Sequence, residues 1–196
     1  MSLRASLKRA IDRCCTIAVS PSTLTCAIER RSSKGEAVFT FWAQTFALVP
    51  GLPGVFLRRA FYRSVLDGCG RSFFIGFGAL ISHRHARIDD DVYIGPYAVV
   101  GSCHLERGCL IGTRCSIVSG GELHTLDEHL RWTASDLSRL KRIRVGEYAW
   151  LGEGTLVMAD IGRAAMIAAG AVVASAVPPE TVVAGNPARF VRRLSA

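Results

Sequence analysis

From Ile143 to Val173 aliphatic residues recur with a period of six: Val145, Leu151 and Val157, then, after one step of four, Ile161, Ile167 and Val173. Gly or Ala usually follows each (Gly146, Gly152, Gly162, Ala168, Ala174), and a small residue sits four places on, at Ala149, Thr155, Ala165 and Ala171. Neither a 3.6-residue helix nor a strand alternating in and out gives that spacing. Hexapeptide units of this kind predict a parallel β-helix. The pattern extends backwards through Ile111-Gly112, Leu105-Glu106, Ile94-Gly95, Ile88-Asp89 and Ile75-Gly76, making about a dozen units in residues 75–173. Three units close one triangular turn, with the leading aliphatic in a narrow core and the later small residue in a corner. Turns stack by parallel pairing about 4.8 Å apart, and each buries its face only against its neighbours.

The departures from six are as informative. Ile81 to Ile88 spans seven residues, carrying Ser82-His83-Arg84-His85, and Val100 to Leu105 spans five; slips of this sort occur where a bulge re-aims a side chain. His85 falls on the inward register of its unit and is expected to pack inside. After Ile117 the period vanishes, and residues 119–142 are a polar loop before the repeats resume at Val145. A loop this long inside a compact array is commonly functional, and insertions in such arrays project from one edge. Pro178-Pro179 is expected to end the solenoid.

Ahead of the repeats the periodicity is helical. Leu3, Leu7, Ala10, Ile11, Cys14 and Ile17 alternate with Arg4, Lys8, Arg9 and Arg13, which predicts an amphipathic helix over 3–18, stopped at Ser20-Pro21. The apolar run Ala37 to Leu48 is too short to cross a bilayer. After the turn cluster Pro50 to Gly54 a second basic helix is expected over Val55 to Leu66. An uncovered solenoid end exposes unpaired backbone and core, so residues 37–68 read as its cap. The sharper alternative gives Phe61, Tyr62 and the arginines at 58, 59 and 63 an interfacial role. The expected organisation is a basic helical segment (1–36), a helical cap (37–72), an all-β solenoid (73–178, with the loop) and a closing segment (179–196).

Charge sharpens that division. Of the net +8, residues 1–72 hold eleven Lys/Arg against four Asp/Glu, and residues 73–196 thirteen against twelve. The repeat domain is nearly neutral, which argues against nucleic acid as a partner. A basic front end over residues 1–66 suits peripheral contact with acidic phospholipid or a phosphorylated carrier. The seven cysteines are odd in number and contain no CxxC, so neither a disulfide framework nor a zinc knuckle is indicated. Cys109 and Cys115 take the small inward position, as apolar fillers. Free buried thiols point to a reducing compartment, hence to the cytoplasm.

These repeats, with V-V-A-G-N-P-A-R-F-V-R-R closing the chain, resemble the hexapeptide-repeat acyltransferases, and within them the maltose, galactoside and polysaccharide O-acetyltransferases. The resemblance covers roughly residues 70–193. It implies a left-handed parallel β-helix, acetyl-CoA as acyl donor with no metal, and a homotrimer with sites shared between copies. Trp150 matches the tryptophan lining the groove for the pantetheine arm, and Gly152 and Ala169 match positions whose backbone meets that arm. Ala174 and Ser175 stand where relatives have Thr-Lys, so the usual lysine at the nucleotide end is missing. Arg189 and Arg192 match family arginines able to supply that charge.

Transfer from a thioester to a hydroxyl needs a base for the hydroxyl proton, a role that suits histidine. The candidates are His83, His85, His104, His124 and His129. His124, in Ser119-Gly120-Gly121-Glu122-Leu123-His124, stands where the resembling acetyltransferases carry their catalytic histidine, with Glu122 and Asp127 near enough in sequence to orient it. His83 is the rival, roughly matching the key histidine of serine acetyltransferases. The expected activity is O-acyl, specifically O-acetyl, transfer to a sugar or a saccharide precursor of surface polysaccharide. Serine O-acetyl transfer is the alternative. A γ-class carbonic anhydrase with His83, His124 and His129 on zinc, and a non-catalytic scaffold, stand further off.

Overall fold

A computed structural model describes residues 3–32, 35–119, 124–134 and 140–194 of the chain. Four helices come first. α1 (Leu3–Ala18) and α2 (Ser20–Ser32) are separated only by Val19. Ser20-Pro21, expected to stop the first helix, opens the second; a proline in the first turn lacks only an N–H that has no partner there. α3 (Ala37–Ala47) and α4 (Gly51–Val65) follow. The start of α3 is capped from another helix: the buried Glu29 carboxylate accepts the Val38 and Phe39 N–H groups at 2.7 and 3.1 Å. Its end is held by Arg58, which donates to the carbonyls of Phe46 and Val49 at 2.9 and 2.8 Å and to Ile75 at 3.0 Å. The Tyr62 hydroxyl accepts the Ile81 N–H at 3.1 Å. Arg58, Phe61 and Tyr62 are fully buried and Arg59 nearly so. The interfacial alternative for those side chains therefore fails: they bind the helices to the solenoid, and of that set only Arg63 faces solvent.

The strands then wind in triangular coils. The first coil holds β1 (Gly68–Cys69), β2 (Phe73–Ile75) and β3 (Leu80–Ile81); the second, β4 (Arg87–Ile88), β5 (Val92–Ile94) and β6 (Val99–Val100). The third holds β7 (Cys103–Leu105), β8 (Leu110–Ile111) and β9 (Ser116–Ile117); the fourth, β10 (Ile143–Val145), β11 (Trp150–Leu151) and β12 (Leu156–Val157). The fifth has β13 (Met166–Ile167) and β14 (Val172–Val173), its first side reduced to Ile161, which bridges Val145 and Val177. The sixth contributes β15 (Thr181–Ala184), and β16 (Arg189–Arg193) folds back antiparallel on it. Equivalent strands stack in parallel into three sheets: A (β1-β4-β7-β10), B (β2-β5-β8-β11-β13-β15-β16) and C (β3-β6-β9-β12-β14). The result is a parallel β-solenoid of about six turns, the fold of a left-handed β-helix.

The hexad residues fill it as their spacing requires. Ile75, Ile81, Ile88, Ile94, Leu105, Ile111, Leu151 and Ile167 have no exposed surface, and Ala79, Ala98, Cys109 and Ala149 take the corners between them. The Cys109 Sγ donates to the Glu106 carbonyl and the Cys115 Sγ to that of Gly152, so these fillers also satisfy corner carbonyls. Two expectations are corrected. Stacking continues past Pro178-Pro179, because the prolines occupy a corner where no ladder N–H is required. His85 is not inside: Ala86 takes the inward place in the seven-residue unit, and His85 faces solvent and bonds Asp67 at 3.1 Å.

Ion pairs from arginines and hydrogen bonds from histidines join the helices to the first corner. Glu29 pairs with Arg84 at 2.6 Å, and Glu36 with His83 at 2.8 Å and Arg84 at 3.1 Å. Asp67 gathers Arg30, His85 and Arg142, each at 3.1 Å.

Candidate active site

Alternation in a strand sends the residue before each inward aliphatic outward. On sheet B this produces a continuous outward row, Phe74, Tyr93, Leu110, Trp150 and Met166, paired strand to strand. Phe74 and Tyr93 stack with ring centroids 5.0 Å apart, and Trp150 is 48 % exposed. Along this row, and at the corner where sheet B turns into sheet C, lies a groove of about 660 Å³. Trp150, Gly152 and Ala169, singled out in the sequence, all line it, together with Tyr93, Leu110, Thr113, Glu153 and Met166. Those further residues were readable from the hexads, each being an outward neighbour of an inward position or a corner residue. The row acquires meaning only once stacking brings residues 93, 110, 150 and 166 side by side.

Gly152 has a structural reason to be glycine. A Cβ there would meet the backbone nitrogen of Ala169, in the next coil, at 2.5 Å. The smallness that makes the groove floor is thus first a condition of coil stacking.

Arg189 and Arg192 lie on β16, three strands beyond Trp150 on sheet B, roughly 14 Å at the usual strand spacing. They oppose Ala184 and Val182, and Val182 continues the outward row past Met166, so both arginines face the groove side. Both are exposed, and neither is ion-paired with a carboxylate among the described residues. Ala174, by contrast, sits exposed at the end of β14 in sheet C, outside the groove.

His124 comes from elsewhere. The loop leaves sheet C after β9 and returns to sheet A at β10, so it projects from the corner opposite sheet B. Its neck is fixed by the Lys141 N–H donating to the Ser119 carbonyl at 3.0 Å, and by Arg142 donating to the His85 carbonyl at 2.6 Å. Within the loop, residues 124–134 make a small hairpin: Leu126 and Trp132 bridge antiparallel, and the Thr133 N–H donates to the Thr125 carbonyl. The His124 Nδ1 lies 2.9 Å from the Thr133 carbonyl oxygen. A carbonyl only accepts, so Nδ1 carries the proton, and of the two neutral tautomers this contact selects the one whose lone pair is at Nε2. Asp127, near enough in sequence to orient the ring, serves the turn instead. It accepts the His129 and Arg131 N–H groups at 2.8 and 2.9 Å, and the Arg131 contact above all holds its carboxyl below the ordinary range. Glu122 lies outside the described residues. No residue of the loop lines the groove among the described residues, so one chain does not bring His124 to Trp150.

The other histidines are tied to carboxylates. His83 is bonded to Glu36 within the corner network, with 19 % of its side chain exposed. His104 faces Asp89 at 3.1 Å on sheet A, and His129 lies 3.6 Å from Glu128. Among the described residues no group of three or more His, Cys, Asp or Glu is placed to hold a metal ion.

No family model matches the chain. Serine acetyltransferase 2 of Arabidopsis thaliana is 33 % identical over 121 residues, which is 60 % of this chain and 30 % of that protein. The chain spans less than a third of the length of the curated relatives it matches. Among solved structures, a galactoside acetyltransferase in complex with coenzyme A superposes with a TM-score of 0.53 at 18 % identity, covering 83 % of this chain and 84 % of that one. A maltose O-acetyltransferase from Clostridium difficile 630 gives 0.51 at 16 %, covering 82 % and 87 %. By fold, the chain is similar to these two acetyltransferases, with which it shares the parallel β-helix architecture.

Proposed function

We propose that the protein is an O-acyltransferase, moving an acetyl group from acetyl-CoA to a hydroxyl of a sugar or of a saccharide precursor of surface polysaccharide. The observation that carries this reading is the tautomer of His124, which leaves Nε2 free to accept a proton. The groove suits the donor: a narrow apolar floor of Leu110, Trp150 and Met166 fits a slender thioester arm, and Arg189 and Arg192 lie along the same sheet for its phosphates. Nε2 takes the acceptor's hydroxyl proton as its oxygen bonds to the thioester carbonyl carbon. The carbon–sulfur bond breaks, and the imidazolium returns the proton to the departing thiolate. Because hairpin and groove stand at different corners of the triangle, a homotrimer in which the hairpin of one copy meets the groove of the next would complete each site.

His124→Ala should lower acetyl transfer by roughly 10²- to 10⁴-fold, the usual range for a general base, with acetyl-CoA binding intact. Full activity in that variant together with its loss in His83→Ala would move the role to His83. The Glu36 bond and partial burial of His83 favour His124.

One observation favours a different acceptor: the similarity to a plant serine acetyltransferase. Assaying the purified protein with acetyl-CoA against L-serine and against a panel of saccharides separates the two; turnover of serine alone would replace the sugar reading.

A further inference from the structure

All four carboxylates of residues 1–72 are used in ion pairs with arginines: Asp12 with Arg59, Glu29 with Arg84, Glu36 with Arg84, and Asp67 with Arg30 and Arg142. Among the described residues, the face that α1 and α2 turn to solvent therefore carries no unpaired carboxylate, and aliphatic and basic side chains stand on it. Ile17, Leu24 and Ile28 are 71, 62 and 58 % exposed. Backbone bonds from the Val19 N–H to Cys15 and from the Thr23 N–H to Val19 carry the helical register across the junction. Spacings of seven and four therefore place the three on one stripe, opposite the buried Ser22, Cys26 and Glu29. Arg13 and Arg31 close the stripe at its two ends, at the same helical angle.

Beside Ile17 a cleft of about 530 Å³ opens between α1, α4 and the start of the solenoid, lined by Arg13, Arg63 and Arg71 with Asp12 and Thr16. The three arginines are exposed and make no ion pair among the described residues, while Asp12 is engaged by Arg59. Three guanidinium groups around one cleft suit a phosphate oxyanion.

We infer that this face docks on an anionic phospholipid surface, with a headgroup phosphate in the Arg13–Arg63–Arg71 cleft and Ile17, Leu24 and Ile28 at the boundary between headgroups and acyl chains. The stripe is aliphatic, offering no ring on which a nucleic-acid base could stack. A two-fold contact with a second copy would set arginine cleft against arginine cleft. A lipid surface meets both halves of the face. Among the described residues no helix is long and apolar enough to cross a membrane, so the attachment is peripheral.

The test is flotation of the full-length protein with phosphatidylcholine vesicles, with and without phosphatidylglycerol, at low and physiological salt. Binding should require phosphatidylglycerol and weaken as salt rises. Arg13→Gln, Arg63→Gln and Arg71→Gln should each weaken it roughly fivefold, and the double variant Leu24→Ser/Ile28→Ser roughly tenfold. Circular dichroism and thermal melting would verify that each variant is folded. The inference is overturned by equal binding to neutral vesicles, by no binding to the mixed ones, or by variants that float as the wild type does. It is also overturned if the serine variants change the mass in solution, which would make the stripe a contact between copies. None of these readings depends on His124, so the inference stands or falls apart from the proposed activity.

Discussion

A histidine whose Nδ1 faces a carbonyl has its tautomer decided by its neighbour, and at position 124 that neighbour is the backbone of Thr133, nine residues on. Elsewhere single residues divide between making the fold and making the groove. Gly152→Ala should cost roughly 1–3 kcal/mol in chemical denaturation, because its Cβ has only backbone to push against. Trp150→Ala should change stability by no more than about 0.5 kcal/mol, its side chain being half exposed, yet raise the KM for acetyl-CoA. If both variants lost stability alike, the groove would have no existence apart from the core. The thiols divide in the same way. Burial pushes Cys26 up to about 11 and Cys109 to about 12, and raises Cys103 further, whereas Cys14 is exposed. A thiol reagent should modify Cys14 in the native protein and reach Cys26, Cys103, Cys109 and Cys115 only on unfolding; mass spectrometry of the labelled protein checks this.

At the scale of elements, the pH-sensitive joint is between helices and solenoid, where Glu36 receives His83 and Arg84. Burial would raise the Glu36 carboxyl, but the hydrogen bonds from His83 and from the Arg84 backbone outweigh it and hold the group below its ordinary value of 4.5. A depressed folded value means that the unfolded chain binds the proton more readily. The contribution is therefore full above the ordinary value and is lost as pH falls through the folded one. Melting temperature should drop on acidification below about pH 4.5, and Glu36→Gln should flatten that part of the curve while lowering stability at neutral pH. An unchanged acid limb in the variant would assign the loss to other carboxylates. The loop is a second such element: Ser119 and Arg142 fix its two ends where it leaves and rejoins the solenoid.

The whole molecule has three flanks with different tasks. Sheet B carries the groove, the corner between sheets C and A carries the hairpin, and the helices close the first coil while presenting a basic, apolar face. A groove and a base on separate corners make the single chain incomplete for the chemistry proposed. Sedimentation should accordingly report a mass three times the 21.2 kDa of one chain. A monomer that still transfers acetyl groups would require the loop to reach its own groove. Helical front end and repeat domain also differ in what salt does to them: vesicle binding should fall with ionic strength, whereas the solenoid, held by buried aliphatics, should melt almost unchanged.

By itself the sequence determined the solenoid. A period of six with aliphatic and small residues at fixed places admits few other folds, since every inward side chain is named by its spacing. The resemblance to hexapeptide-repeat acyltransferases singled out Trp150, Gly152 and Ala169, and it is the stacking of coils that sets them along one groove. What tertiary structure decided are the contacts that no period encodes. Ala86 replaced His85 in a slipped corner by fit. Arg58, Phe61 and Tyr62 went inside, which set aside the alternative that their charge and aromaticity had left open. The Ser20-Pro21 break became a helix start, and the prolines at 178 and 179 sat at a corner without stopping the stack. Above all, Thr133 set the proton on His124, and the turn claimed Asp127. Those choices depend on which donors and acceptors meet once aperiodic chain is folded back on itself, and a linear pattern carries no record of that.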